Sequence, residues 1–314
     1  MGKIAFVFPG QGSQTVGMGR DLYDQNEQGK QLFDKADQKL GYSLTELMFT
    51  GPQEELTATY NAQPALLTVS YGLFQSLDAA GIKADYTAGH SLGEYSALAA
   101  SGAIAFEDAV YAVHKRGKFM EAAVPDRQGS MAAILGMDRS ELSEIAAEVT
   151  ETGESVQLAN INCPGQVVIS GTRDGVQAAS AKAKEKGAKR ALPLDVSGPF
   201  HSSLMKPAAE KLQAVLNEIA INKAAVPVIS NVTAEPVTDP EEIKTKLIEQ
   251  LYSPVLWEDS VKKLQALGVD TFIEIGPGKV LSGLIRKIDR SLTAISISDM
   301  ASLEQAVAAL KEGK

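Results

Sequence analysis

Three segments of this chain carry residue types that together can do nucleophilic chemistry. Gly89-His90-Ser91-Leu92-Gly93 fits Gly-x-Ser-x-Gly, between an apolar run, Tyr86–Gly89, and a helical pattern, Glu94–Ala100. A sharp strand-to-helix turn of this kind presents a serine hydroxyl outward and needs small residues two before and two after it, both glycine here. The turn leaves N–H groups unpaired at the helix start, so Leu92 N–H can donate to an oxyanion. Ser91 requires a base, and the chain offers three histidines. His90 adjoins Ser91 and diverges from it on a tight turn, so it reads as a group that fixes the turn. His114 lies beside the apolar stripe of a helix expected over Phe106–Ala123 and reads as a boundary histidine. His201, in Gly198-Pro199-Phe200-His201-Ser202 ahead of a helical stretch, is the expected base, with the helix dipole favouring its neutral form. Asp195 is one of many acids available to orient that imidazole, and the sequence does not choose among them.

A third signal is a cation in an apolar place. Ala109, Val113, Arg116 and Met120 advance along one face of the Phe106–Ala123 helix, so Arg116 falls on its apolar stripe. A buried guanidinium needs a partner, and its planar fork suits a carboxylate. That carboxylate is either an internal Asp or Glu, or one carried by a substrate. Lys115 and Lys118 point elsewhere and read as solvated. The loop Phe8-Pro9-Gly10-Gln11-Gly12-Ser13-Gln14 fails the dinucleotide fingerprint, because Thr15 stands where a third glycine belongs. Its position after an apolar strand makes Gln11 N–H a candidate second oxyanion donor.

These groups need a scaffold, and the periodicity supplies one. Ile4–Phe8, Tyr86–Gly89, Val226–Ser230, Asp270–Ile275 and Leu292–Ile297 read as buried strands. Helical patterns alternate with them at Asp21–Leu40, Ala65–Ala80, Phe106–Ala123, Leu204–Ile219, Glu241–Leu251, Leu256–Leu267 and Leu303–Leu310. That alternation predicts a parallel sheet in a layered α/β fold. The middle reads β-α-β-β-α-β over Ser130–Gly136, Ser140–Val149, Ser155–Asn162, Val167–Gly171, Asp174–Lys186 and Lys189–Leu194, a ferredoxin-like order with a tight turn at Cys163-Pro164-Gly165-Gln166. The expected architecture is a discontinuous large α/β-hydrolase-like domain, residues 1–124 and 198–314. A small ferredoxin-like domain, 125–197, is inserted into it. Breaker residues mark the joins at Val124-Pro125-Asp126 and Val196-Ser197-Gly198-Pro199, and the site is expected in the cleft between the domains.

Composition excludes other classes. The 314 residues suit about two domains. With 44% hydrophobic and 22% charged residues, the chain is neither disordered nor fibrous. One cysteine, Cys163, forbids an intrachain disulfide and a Cys-based zinc site, and fits a reducing compartment. The net charge of −9 argues against a nucleic-acid partner. The apolar run Ile4–Phe8 is too short for a signal-peptide core, Phe6 breaks the myristoylation pattern, and no apolar stretch suits a membrane span, so a cytoplasmic protein is expected.

Taken together, the motifs resemble the malonyl-CoA:acyl-carrier-protein transacylase family of bacterial fatty-acid synthesis, over nearly the whole chain. The matching segments are Phe8–Gln14, Asn61-Ala62-Gln63-Pro64-Ala65, Gly89–Tyr95, Arg116-Gly117, Phe200-His201 and Glu274-Ile275-Gly276-Pro277. The resemblance implies Ser91 as the acylated nucleophile and His201 as base and acid. It implies Gln11 and Leu92 N–H as the oxyanion hole, and Arg116 as holder of a malonyl carboxylate. The imidazole would be oriented by a backbone carbonyl, matched here by Gln250. Substrate contacts are implied for His90, Gln63, Asn162 and Phe200, and Phe200 before the histidine resembles malonyl-selective members. The substrates would be malonyl-CoA and holo acyl carrier protein, with no permanently bound cofactor and no metal, in a monomer.

Rival readings are a serine thioesterase or esterase of the α/β-hydrolase type and a non-catalytic carrier-binding domain. Against the first stand the inserted domain, the missing His-Gly-Gly-type loop and Arg116. Against the second stands the pair Ser91 and His201. Carrier proteins are themselves acidic, so a chain of charge −9 must attract one locally. The basic runs Lys182, Lys184, Lys186, Lys189, Arg190 and Arg286, Lys287, Arg290 are either solvated helix faces or the patches that flank the cleft and do so.

Overall fold

The computed structural model describes residues 2–124, 128–196 and 198–312. Pro125, Asp126 and Ser197, three of the expected breaker residues, lie outside them. Ten strands follow one another along the described chain: β1 (Lys3–Phe8), β2 (Tyr86–Gly89), β3 (Gly129–Leu135), β4 (Val156–Cys163), β5 (Gln166–Thr172), β6 (Arg190–Pro193), β7 (Val228–Ile229), β8 (Pro236–Val237), β9 (Val269–Ile275) and β10 (Thr293–Ile297). They form a mixed α/β fold with two sheets. The larger has the order β10-β9-β1-β2-β7-β8 and is parallel except for β8. β1 lies inside it, since Ala5–Phe8 are buried and accept strands on both sides. The smaller sheet, β4-β5-β3-β6, is antiparallel throughout. Pro164-Gly165 turns β4 into β5, with Gly165 at φ +72°.

The smaller sheet is tied through β4 to Val255, just ahead of the helix Trp257–Ala266. Ile161 N–H donates to Val255 O at 2.9 Å and Val255 N–H to Ala159 O at 2.8 Å. Met131, Ala159 and Val168 of the smaller sheet join the core that holds Phe6, Phe8 and Val113 of the larger unit. Among the described residues, no helix is long and apolar enough to cross a membrane.

Several expected elements shift for local reasons. The Asp21–Leu40 helix is two helices, Arg20–Gln25 and Glu27–Leu40, because the Asn26 side chain accepts Gly29 N–H and starts the second. The strand expected over Val226–Ser230 shrinks to the two residues of β7, which pair with Thr87 and Ala88 on one side and with β8 on the other. The helix expected from Leu204 opens as a 3-10 turn, Ser203–Met205, before Lys206–Glu218. Helices Leu44–Thr50, Gln53–Thr57 and Val280–Ile288 and strand β8 were not expected.

The most instructive shift is at Pro64. The helix expected from Ala65 starts at Thr59 and runs to Ala79 with Pro64 inside it. Proline has no N–H, so the carbonyl four residues earlier, Tyr60 O, is freed. His114 Nδ1 donates to that carbonyl at 2.8 Å, from the neighbouring helix Phe106–Ala122. Beside it, a Cβ at Gly117 would stand 2.6 Å from Tyr60 Cα. A freed carbonyl and a missing side chain thus bring these two helices close together, and each carries a residue of the site.

Candidate active site

Strands β1 and β2 end side by side, with Phe8 opposite Gly89. The Pro9–Gln14 loop and the turn after β2 therefore meet at the carboxyl edge of the sheet, where sites in α/β folds form. The turn is as tight as its sequence requires. A Cβ at Gly89 would lie 1.9 Å from Gly93 C and O, and one at Gly93 would lie 2.0 Å from Phe8 O. Ser91 sits at φ +52°, a left-handed conformation costing about 1–3 kcal/mol for a non-glycine residue. Its N–H donates to Asn231 Oδ1 at 2.7 Å, which holds it there.

His201 is the second strained residue, at φ +58°. Its Nε2 lies 2.8 Å from Ser91 Oγ, and its Nδ1 donates to Gln250 O at 2.8 Å. Gln250 ends the helix Pro240–Gln250, so its carbonyl has no partner within the helix and is free to accept. With the proton on Nδ1, Nε2 is left to accept from the serine hydroxyl. Burial first, then the Arg116 charge, pull the imidazole down to about 3. The neutral form thus arises from burial and a cation rather than from the helix dipole, since the 3-10 turn separates His201 from the Lys206–Glu218 helix. Asp195 lies on the cleft wall, and the acceptor for the imidazole is the Gln250 carbonyl.

Arg116 is 1% exposed, as its place on the apolar stripe requires. Among the described residues, none of its hydrogen-bond partners is a carboxylate. Nη1 donates to Gln63 Oε1 at 2.7 Å, and Nη2 to Gln250 Oε1 at 2.9 Å and Ser91 Oγ at 3.0 Å. Its Nε is buried with no acceptor among the described residues, and its guanidinium carbon lies 5.6 Å from the centre of the Tyr95 ring. Burial lowers its pKa, though a guanidinium stays charged in proteins. A buried cation held only by neutral oxygens and a π face is short of a counter-ion.

Ser91, His90, Leu92, Arg116, Phe200 and His201 line a cleft of about 180 Å³, whose wall also holds Met120 and Met131. Gln11 borders the same cleft, and a Cβ at Gly10 would stand 2.5 Å from His90 O, so the two loops touch. Among the described residues, neither Gln11 N–H nor Leu92 N–H donates to a protein acceptor. Two expected substrate contacts lie elsewhere. Gln63, 1% exposed, stands behind Arg116 and off the cleft wall. Asn162 accepts from His90 Nε2 at 2.8 Å and is likewise off the wall, where Asn160 stands instead.

Sequence reasoning missed the layer beneath the serine. Asn231 Nδ2 donates to Gly89 O at 2.6 Å, and Asn231 N–H donates to Glu94 Oε2 at 3.0 Å. Gln250 Nε2 donates to the same Glu94 oxygen at 2.8 Å. The faint signal for Asn231 was its place just after β7, on the carboxyl edge of the sheet.

Comparison with known proteins decides the family. The family model for the acyl transferase domain matches residues 5–309. The chain belongs to the acyl transferase domain family. A malonyl CoA-acyl carrier protein transacylase of Bacillus subtilis (strain 168) is 62% identical over 99% of this chain and 98% of its own length. An acyl carrier protein S-malonyltransferase of Vibrio cholerae superposes with a TM-score of 0.94 at 47% identity, over 97% of this chain and 99% of that one. A malonyl-transacylase solved in complex with its type II PKS acyl-carrier protein gives 0.95 at 44% identity, over 98% and 99%. Like these members of the acyl transferase domain family, the chain is matched along nearly all its length.

The expected basic runs are partly spent inside the fold. Lys182 and Lys186 pair with Glu148, Arg286 donates to Ala294 O, and Lys287 donates to Gln166 Oε1. Lys184, Lys189, Arg190 and Arg290 make no such contact among the described residues.

Proposed function

We propose that this chain transfers the malonyl group from malonyl-CoA to the phosphopantetheine thiol of an acyl carrier protein, in fatty-acid biosynthesis. It is an acyltransferase. The observation that carries the substrate assignment is Arg116: a buried cation, bonded to the serine hydroxyl, whose hydrogen-bond partners are all neutral.

The reaction is read as ping-pong. His201 Nε2 takes the Ser91 proton as Oγ forms a bond to the thioester carbon. The oxyanion rests on Gln11 and Leu92 N–H, each worth about 3–4 kcal/mol in such a role. The C–S bond breaks, His201 returns the proton to the CoA sulfur, and malonyl-Ser91 remains. The carrier thiol then gives its proton to His201 and attacks, and the serine oxygen leaves and is reprotonated. Gln250 acts through its carbonyl, which keeps the acceptor nitrogen toward Ser91. Arg116 pairs with the malonyl carboxylate, which supplies the counter-ion that its buried guanidinium lacks. Gln63 and Asn162 serve as positioning residues, for Arg116 and His90. Phe200 fills the wall beside the acyl carbon and favours malonyl over branched groups. A cleft of about 180 Å³ takes the acyl end of the thioester and leaves the nucleotide outside.

The two sheets are read as a hydrolase-like domain, 1–124 and 198–314, and an inserted ferredoxin-like domain, 125–197. In support, β3–β6 fall within Gly129–Pro193, and the order β4-β5-β3-β6 is the one that β-α-β-β-α-β chains adopt. In this reading the enzyme works as a cytoplasmic monomer without a resident cofactor, since every assigned role is filled by its own residues. Lys184, Lys189, Arg190 and Arg290 are the cations of those runs left to steer an acidic carrier.

The competing outcome is hydrolysis. With malonyl-CoA and holo carrier protein, transfer should exceed release of free malonate. If water takes the acyl group as fast with carrier as without it, the enzyme is a thioesterase.

A further inference from the structure

Beneath Ser91 lies a carboxyl group that none of the acyl-transfer steps uses. Glu94 is 2% exposed, on the first turn of the helix Gly93–Ala100. One of its oxygens, Oε2, accepts both Asn231 N–H and Gln250 Nε2. The Gln250 amide has two chemically different ends, and its surroundings admit only one orientation. Nε2 faces three acceptors: Glu94 Oε2 at 2.8 Å, Ser91 O at 3.0 Å and Asn231 Oδ1 at 3.2 Å. Oε1 is thereby turned to Arg116 Nη2 at 2.9 Å. Reversing the amide would set a donor against the guanidinium and an oxygen against three oxygens.

We propose that Glu94 is a specificity-positioning residue: it locks the Gln250 amide so that Oε1 holds the Arg116 guanidinium in place for a substrate carboxylate. The inference rests on the reading of Arg116 as the malonyl-binding residue. The spacing has a second consequence. With the Gln250 amide between them, Glu94 and Arg116 do not form a direct ion pair, so the cation stays available. Burial outweighs the two hydrogen bonds and the attraction of Arg116, lifting Glu94 to about 7. A helix-start acid serving only the dipole has no need to be buried, since that interaction operates at exposed positions.

The experiment compares kcat/KM for malonyl-CoA and acetyl-CoA, which lacks the carboxylate, in four variants, each with its melting temperature. Glu94→Leu removes the acceptor and should lower the malonyl-to-acetyl ratio about tenfold, the scale of one hydrogen bond to a charged group. Glu94→Gln must keep an oxygen toward Asn231 N–H, so it should hold Gln250 as before and retain the ratio within about threefold. Gln250→Met breaks the relay from its other end, leaves the backbone carbonyl for His201, and should lower the ratio like Glu94→Leu. This variant decides the matter if Glu94→Leu does not fold. Arg116→Ala is the reference and should collapse the ratio. If Arg116→Ala collapses it while Glu94→Leu or Gln250→Met slows both thioesters equally, Glu94 is structural and the inference falls alone. If Arg116→Ala leaves the ratio unchanged, the reading of Arg116 falls, and this inference with it.

Discussion

Glu274, at the end of β9, and Arg116, on the helix Phe106–Ala122, are both deeply buried side chains of charged type, and they are treated in opposite ways. Glu274 is 0% exposed, and its two oxygens accept Leu281 N–H at 2.9 Å and Ser282 N–H at 2.7 Å. Those are orphan donors in the first turn of the helix Val280–Ile288, so Glu274 caps a helix from a strand. Both its oxygens are engaged, and the result is fold. Arg116 is as deeply buried, yet among the described residues its Nε has no acceptor and its other nitrogens only neutral oxygens, with an open cleft before it. A buried polar group whose bonds are complete belongs to the architecture; one left short of its natural partner, at a cavity, belongs to the chemistry.

The contrast can be attacked by truncating each in turn. Arg116→Ala should cost about 2–5 kcal/mol in kcat/KM for malonyl-CoA, as for removing one side of a desolvated charge pair, with acetyl-CoA losing less. Equal losses with both thioesters would remove the distinction. Glu274→Ala should do the reverse. Stranding the Leu281 and Ser282 N–H groups should lower unfolding stability by about 1–3 kcal/mol, while the malonyl-to-acetyl ratio stays that of the parent. A changed ratio in a stable Glu274→Ala protein would mean that the two regions are coupled. The smallest effect is expected at Phe200, a completed contact on the cleft wall. Phe200→Ser should admit methylmalonyl-CoA more readily by about 1–3 kcal/mol, the worth of a methylene-sized change in an apolar pocket. An unchanged ratio of methylmalonyl to malonyl would take Phe200 out of specificity.

The same contrast explains what could be read from the chain. Ser91, Arg116 and the tightness of the 89–93 turn were legible because each follows from local spacing: two glycines around a serine, or a cation on an apolar face. His201 was legible by type, among three histidines. The reason for its low basicity was not, because burial and the nearness of Arg116 depend on contacts between distant segments. The orienting acceptor was invisible for another reason. It is the main-chain oxygen of Gln250, which every residue possesses, so side-chain type marks nothing, and only resemblance to a family pointed there. Asn231 and Glu94 meet across long sequence separations, and no periodicity brings β7 beneath the helix after Ser91. The helix Val280–Ile288 was missed because its cap sits in the preceding strand rather than just ahead of it. The early start of the Thr59–Ala79 helix was hidden because Pro64 looks like a first-turn residue, until His114 is seen to occupy the carbonyl it frees.

The central claim is that Ser91 carries the malonyl group between two thiols. Intact-mass analysis tests it with the parent enzyme and Ser91→Ala, each mixed with malonyl-CoA and then with holo carrier protein. The expected result is one malonyl adduct on the parent, cleared as malonyl-carrier appears, and none on Ser91→Ala. A stable adduct on Ser91→Ala, or a parent adduct that holo carrier protein does not discharge, would contradict the account.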